Sequence, residues 1–320
     1  MAAYLPGSAV TTISDAIVEL GRKLQDRNYR FAAVTPATHA RTLDRNRSPS
    51  RLEDVFGWNA WFPPGMLDAA MFRLLEDAGQ LEAVDGRFKS KLRFATVGNL
   101  IFAHSAFPTR ERDAVFFGPD SYRFISALRH AVPAWDAARP PTLFDIGCGG
   151  GAGGIYAARH LLPHGARIVL SDINARALMF AEGNALLNDV PDVKIAMGDL
   201  LDGLEGIPDI VIANPPYLVD DDARLYRDGG GDYGTAIALR IVEQSLQRLP
   251  PQGRLVLYTG TPLIDGVDMF QAGVAPLLEA HPCRSTYEEI DPDIFGEELE
   301  RTAYAQTERI AAVLLTVTKE

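Results

Sequence analysis

Asn214, Pro215, Pro216 and Tyr217 follow the apolar run 210–213 and precede three consecutive acids, Asp220, Asp221 and Asp222. Two adjacent prolines at the end of a buried-looking strand remove two backbone donors and stiffen the chain as it leaves the sheet. The Asn214 amide oxygen and a carbonyl held rigid by the following proline are both acceptors for a planar NH2 group, and Tyr217 adds an aromatic face beside them. Such a group works by aiming an amine's lone pair and stabilising developing positive charge, without a strong base.

A second chemical feature lies upstream. Six glycines fall within residues 147–154 of "LFDIGCGGGAGG", between an apolar strand and a helix. A loop of this kind lets a ligand approach the backbone, and the helix start offers unpaired N–H groups. Gly149, Gly151 and Gly154 fit G-x-G-x-x-G, which by itself leaves open a dinucleotide such as NAD, or a tight turn with no ligand. Cys148 reads as a small filler between glycines. Asp172, 27 positions after Asp145, ends the next apolar run; its carboxylate suits a ribose diol, with capping of the following helix by Asp172 or Asn174 as the plain alternative. Asp199, in "MGDLLDGL", is placed either to read an exocyclic amine or simply to turn the chain.

The elements that must position these residues alternate from about residue 142. "TLFDIGCGG", "ARIVLSDIN", "DIVIANPPY" and "GRLVLYTG" are short apolar runs, with helical segments at 152–162, 174–188 and 234–249 between them. This rhythm predicts an α/β fold with a mostly parallel sheet covered on both faces. The last strand, "RIAAVLLTVT", follows the acidic stretch "EEIDPDIFGEELE" and is expected to insert antiparallel. Upstream, the spacing of Ile17, Leu20 and Leu24 predicts a helix over 14–27 capped by Ser14 or Asp15. A second helix is expected to start at Pro63–Pro64 and stop at Gly79. Turns at Asp85-Gly86 and Gly98-Asn99 then predict a β-hairpin or meander. Helices followed by a β-ribbon suggest a winged-helix-like α+β unit over 1–112, ahead of a second domain at 113–320.

The chain has 320 residues and a net charge of −11, which argues against a broad nucleic-acid footprint, although 27–51 is rich in arginine. Two cysteines make neither a disulfide framework nor a zinc site. No apolar run is long enough for a membrane span, and Asp15 and Glu19 interrupt the early apolar stretch. The expectation is a cytoplasmic protein without a leader. His104 beside Ser105 lacks a third partner for a triad and reads as packing. Trp58 and Trp61 read as core or interface anchors, and the 220–222 acids as a solvated run.

The order "DIGCGGG … SD … GDL … NPPY" resembles class I S-adenosylmethionine-dependent methyltransferases, in particular the N-methyltransferases with an (N/D)PP(Y/F/W) motif. The resemblance covers residues 115–320 and implies a Rossmann-like seven-stranded, mostly parallel sheet. It implies that Asp145, Gly147 and Gly149, with Cys148 between them, shape the methionine end of S-adenosylmethionine. Asp172 with Ile173 would hold the ribose, and Asp199 with Leu200 the adenine. Asn214, Pro215, Pro216 and Tyr217 would bind the amine to be methylated, with Asn214 also near the cofactor. "VFFGPDSYRFISAL" is similar to the Pro-x-x-Thr/Ser segment that closes over the cofactor, which adds Ser121; Asp120 and Ser121 also read as a helix cap. "RDGGGDYGT" resembles the segment after the motif in N5-glutamine methyltransferases, though Tyr233 splits its Asp-Gly pair. The reading is therefore N-methylation without a metal, of a protein glutamine first, with a small metabolite or an RNA base as alternatives and a silent cofactor-binding scaffold as a second class.

Overall fold

The strands around the glycine loop are apolar on both sides because both of their faces are covered. A computed structural model describes residues 11–45, 48–132, 135, 139–162, 164–190 and 193–320. Its main sheet contains β5 (Thr142–Ile146), β6 (Arg167–Asp172), β7 (Val193–Met197), β8 (Ile210–Ala213), β9 (Arg254–Ile264), β11 (Cys283–Asp291) and β12 (Arg309–Lys319). Their order is β11-β12-β9-β8-β5-β6-β7, with the two-residue β10 (Val267–Asp268) folded back on β9. β7, β6, β5, β8 and β9 run parallel, and β12 enters antiparallel against β9 as the sequence predicts. Leu143, Ile210 and Ile212 point into one apolar core, and Phe144, Ile146, Val211 and Ala213 into the other.

Helices α5 (Pro119–Ala131), α6 (Ala152–Tyr156), α7 (Ala175–Leu187), α8 (Ala236–Arg248) and α9 (Met269–Glu279) belong to this unit. α6 continues as a single π-helical turn through Leu161. β11 is an addition to the sequence reading, which left Glu288–Asp291 as an acidic lead-in. Its side chains are largely exposed at the sheet edge, so no apolar pattern marks it.

The N-terminal part comprises α1 (Ile13–Gln25), α2 (Pro36–Leu43), α3 (Leu52–Phe56), α4 (Ala69–Asp77) and two hairpins, β1 (Leu81–Val84) with β2 (Arg87–Ser90) and β3 (Leu92–Val97) with β4 (Leu100–Ser105). Thr12, not Ser14 or Asp15, caps α1; Asp15 completes the capping box, and Ser14 donates to Glu182 and Met179 of α7. Pro63–Pro64 do not start α4. Gly65 is left-handed there, and the Asp68 side chain accepts from Met71 N–H to start the helix later. The hairpin turns form where Asp85-Gly86 and Gly98 place them, all with positive φ.

The helices do not stack into a trihelical unit: α1 lies on α7, α4 and β4, and α3 on β2 and β3. The winged-helix comparison thus holds only for the order of helices before hairpins. Leu20, Leu24 and Phe56 share one core with Ala177, Phe180 and Leu187 of α7. Two amides, Asn184 in α7 and Asn188 at its C-terminal end, also pair β4: Asn184 Oδ1 accepts from Ala103 N–H at 2.7 Å, and Asn188 Oδ1 accepts from Ile101 N–H at 3.1 Å. Asn184 further donates to the Gly150 carbonyl at 2.9 Å, which ties the glycine loop to the N-terminal part.

Candidate active site

β5 pairs with β6 on one side and β8 on the other, so the strand order reverses at β5. In such a sheet the crevice beyond the carboxyl ends of the strands at that reversal is the natural ligand site. A cavity of about 470 Å³ lies there. Ser121, Asp145, Gly147, Cys148, Gly149, Asp172, Ile173, Asp199, Leu200, Asn214, Pro215, Pro216 and Tyr217 all line it. The residues that the resemblance assigns to cofactor and acceptor are therefore brought to one cavity, while Gly151 and Gly154 of the G-x-G-x-x-G run do not line it.

Gly147 and Gly149 have φ of +65° and +53°, and a Cβ on either would meet nothing within 4 Å. The loop thus presents bare backbone to open space. Gly153 and Gly154 serve another purpose: added Cβ atoms would strike Phe124 at 2.6 Å and Leu170 at 2.5 Å, so they let α6 settle onto the sheet.

Two carboxylates flank the loop, Asp145 buried and Asp172 half-buried. Asp145 Oδ2 accepts from Gly154 N–H at 2.7 Å. Burial pushes its pKa up to about 7; that N–H opposes the rise, and the neighbouring Asp172 adds to it. Asp172 accepts from Gly149 N–H and Asn174 N–H, each at 2.8 Å. Burial raises its pKa as well, against those N–H donors. A carboxylate has about four lone-pair sites, so Asp172 retains acceptor capacity for a further pair of donors. Asn174, not Asp172, caps α7, accepting from Arg176 N–H at 3.0 Å. Burial, then Asp172 and Asp145, push the Cys148 thiol upward, which suits a filler and not a nucleophile.

Ile173 is 59% exposed at the rim, and Leu200 has a φ of +59°, an uncommon conformation for a bulky side chain. Asp199 is engaged already, since Arg240 of α8 donates to it at 2.8 Å. The Asn214 side chain, half-buried, makes no hydrogen bond among the described residues. Ser121 closes the capping box of α5, accepting from Gly118 N–H at 3.3 Å.

Tyr217 differs from the sequence picture of a free stacking face. Its ring is enclosed, edge-on to Phe295 at 6.0 Å and to Tyr258 at 6.4 Å, and its hydroxyl donates to Asp120. A Cβ at Gly260 would lie 2.3 Å from the ring, so β9 leaves room for it only through a glycine. Gly229 and Gly234 press on the backbone of the same residue: Cβ atoms there would fall 2.7 Å from its Cα and 2.3 Å from its carbonyl oxygen.

The acidic run after Tyr217 is not solvated throughout, a correction to the sequence reading. Asp220 is buried, paired with Arg224 and with Arg227 at 3.2 Å, and hydrogen bonds from Arg224 hold its pKa down to about 2. Arg227 also pairs with Glu298, and Arg301 bridges Glu298 and Asp221, each at 2.8 Å. Asp221 and Asp222 both remain largely exposed. Among the described residues no His, Cys, Asp or Glu group could hold a metal ion.

Sequence reasoning missed several cavity residues. Phe116 stacks on Tyr226 with rings 7° from parallel, Leu225 N–H donates to Arg112 O at 3.0 Å, and Tyr226 donates to Thr109 O at 2.9 Å. The 107–117 lead-in and the 223–228 loop therefore form one joined wall, which no local pattern announces. Phe295 reaches the cavity from the segment between β11 and β12. His104 is buried against the Phe117 ring, and burial lowers its pKa. Trp58 packs edge-on to Phe31 at 5.1 Å, while Lys89 sits 5.9 Å over Trp61; neither tryptophan lines the cavity. In the arginine-rich stretch, Arg27 pairs with Asp68 and Arg51 with Asp54; Asn46 and Arg47, and the first ten residues of the leader reading, lie outside the described residues.

Residues 128–263 match the family model described as methyltransferase small domain. Release factor glutamine methyltransferase from Chlamydia trachomatis serovar L2 is 42% identical over 77 residues, covering 24% of this chain and 26% of that protein. The protein of the same name from Deinococcus radiodurans is 31% identical over 174 residues, covering 49% and 56%. The aligned parts thus span between about a quarter and just over half the length of these relatives. Among solved structures, a methyltransferase from Pyrococcus furiosus superposes with a TM-score of 0.44 at 15% identity, covering 65% of this chain and 89% of that one.

Proposed function

With a methyltransferase small domain across residues 128–263, set in a Rossmann-like sheet, we propose that this chain is an S-adenosylmethionine-dependent N-methyltransferase. The observation that carries the reading is convergence. The bare glycine backbone, the Asp145 and Asp172 carboxylates and the Asn214 amide meet at the sheet's reversal point, in a cavity of about 470 Å³. A purine nucleoside bearing an amino-acid tail fits these donors and acceptors.

When bound, S-adenosylmethionine supplies a methyl group activated by its sulfonium. The open backbone at Gly147 and Gly149, with Asp145 beneath it, would take the methionine end. Asp172 would accept from the ribose hydroxyls, while Ile173 and Leu200 flank the base and Asp199 reads its amine. Asn214 follows β8 and Asp172 ends β6, with β5 between them. Two strand spacings, about 10 Å, therefore separate the amide from the ribose acceptor. Asn214 Oδ1 and the Pro215 carbonyl would accept the two N–H groups of a planar amine, and the Tyr217 ring would close that end. Holding the amine this way leaves its lone pair free and offers negative partial charge to the cation that develops.

For the acceptor we favour a protein glutamine, supported by the names of the curated relatives and by the 227–234 segment. A small metabolite or an RNA base is the alternative, and a silent scaffold the second class. We place the substrate-recognition part at 1–112 and the methyltransferase part at 113–320. Cytoplasmic residence is part of the same reading; among the described residues no helix is long and apolar enough to cross a membrane.

Titration calorimetry with S-adenosylmethionine tests the cofactor: binding that Asp172→Ala weakens is expected, and no binding, or binding indifferent to that change, overturns the reading. Tritiated cofactor incubated with fractionated cell extract then identifies the acceptor by whether label enters protein, RNA or small molecules. A scaffold binds the cofactor and labels nothing.

A further inference from the structure

Asp120 is 5% exposed and sits in the first turn of α5, where a carboxylate ordinarily faces the helix's own N–H groups. Its side chain does not. Ser121 next to it performs the capping, and the Asp120 carboxylate instead receives two donors from distant parts of the chain and a third from Arg123, one turn on in α5. Tyr217 Oη donates to Oδ2, Tyr258 Oη donates to Oδ1 at 3.0 Å, and Arg123 Nη1 donates to Oδ1 at 3.3 Å. Arg123 is itself steadied by Asp291 at 2.9 Å. The two phenols lie 97 and 138 residues away in the chain, so this is a tertiary clasp and not a local cap.

We propose that Asp120 is a positioning residue for methyl transfer, acting through the Tyr217 hydroxyl to hold the Asn214–Tyr217 loop in its amine-binding shape. The inference rests on the reading of that loop as the acceptor site. Gly260, Phe295 and the Gly229–Gly234 pair shape the space around Tyr217 by contact alone. Asp120 is the polar partner of its hydroxyl. Without it, a buried O–H loses its acceptor, and the ring gains a reason to swing toward the cavity and water. Because Pro215 and Pro216 are rigid, a rotation at Tyr217 is passed to Asn214 and to the Pro215 carbonyl instead of being absorbed between them. Asp120 and Ser121 also line the same cavity side by side, so one helix start touches both the cofactor region and the acceptor loop.

The test compares Asp120→Ala, Asp120→Asn, Tyr217→Phe and the Asp120→Ala/Tyr217→Phe double variant in the full chain. Cofactor binding is read by calorimetry with S-adenosylmethionine. Turnover is read with tritiated S-adenosylmethionine and the labelled fraction of an extract from cells lacking this protein. Asp120→Ala and Tyr217→Phe are each expected to cut kcat about 100-fold, with cofactor Kd changed less than about threefold. The double variant is expected to be no worse than either single change, since both break one contact. Asp120→Asn, which still offers one acceptor oxygen, is expected to recover part of the loss. Full turnover in Tyr217→Phe, multiplying losses in the double variant, or a parallel loss of cofactor binding in Asp120→Asn would overturn the inference. Should Asp120→Ala not fold, the Asp120→Asn and Tyr217→Phe pair decides the matter. A wild-type chain that binds no cofactor or transfers no label instead defeats the reading on which this rests, and the inference with it.

Discussion

The glycine-loop half of the cavity and the Tyr217 half are held by different means. Around the glycine loop the fixing hydrogen bonds are shorter in sequence: Asp145 to Gly154 spans 9 residues, Asp172 to Gly149 spans 23, Asp172 to Asn174 spans 2, and Asn184 to Gly150 spans 34. Around Tyr217 they are long: Asp120 is 97 residues away, and Tyr304 and Arg301 hold the Val219 backbone from 85 and 82. The first half is a strand–turn–helix unit that carries its own geometry. The second is a loop clasped from several directions by the rest of the fold, so it is the half that distant substitutions can spoil.

The two halves are therefore expected to fail separately. Asn214→Ala is expected to lower methyl transfer by about 1,000-fold while leaving the calorimetric affinity for S-adenosylmethionine unchanged; equal loss of both would erase the division. Glu298→Ala leaves Arg227 and Arg301 short of a partner, and should cost about 3 kcal/mol in urea unfolding. Turnover of the folded fraction should fall with it, while cofactor binding persists.

Asp145 gives the corresponding test of the first half. Its folded pKa, about 7, is raised above the ordinary carboxylate value, so the native chain keeps a proton that the unfolded chain releases. Ligand-free stability should therefore fall as pH rises from about 5 to 7, by on the order of 2 kcal/mol, and then level off. Asp145→Asn should remove most of that slope in urea titrations at each pH; a slope that survives assigns it to other groups. Asp172→Ala is expected to weaken cofactor binding roughly 10- to 30-fold in calorimetry, with a smaller change in the thermal midpoint than Glu298→Ala. Smallest of all, Arg240→Ala removes the half-exposed Asp199 pair and should change stability by about 0.5 kcal/mol and cofactor affinity no more than about threefold.

The same division explains what was legible in the sequence. Apolar strands closing on Asp145, Asp172 and Asn214, and the glycine run between strand and helix, are local patterns, and the sheet they predict is the sheet observed. The antiparallel entry of β12 was also foreseeable. β11 was not, because its exposed, polar side chains carry no apolar alternation. The Asp120 clasp was hidden for another reason. "GPDSY" looks like a helix start and is one, and nothing local shows its carboxylate turning toward two tyrosines. Asp220 was misread as solvated because its guanidinium partners, Arg224, Arg227 and Arg301, arrive from turns whose direction the sequence does not specify. Asn184 and Asn188 similarly read as ordinary helix residues, yet they complete the edge of β4.

The glycines that follow Tyr217 bear on how this protein could be redesigned. Gly229 and Gly234 are pinned by backbone, not by anything the cavity holds, so a library that randomises them will mostly return collapsed loops and say little about acceptor choice. The side chains of the joined wall, Phe116, Leu225 and Tyr226, face the cavity without that burden. Selection for a new acceptor has its freedom there, a few residues away from the motif that first draws the eye.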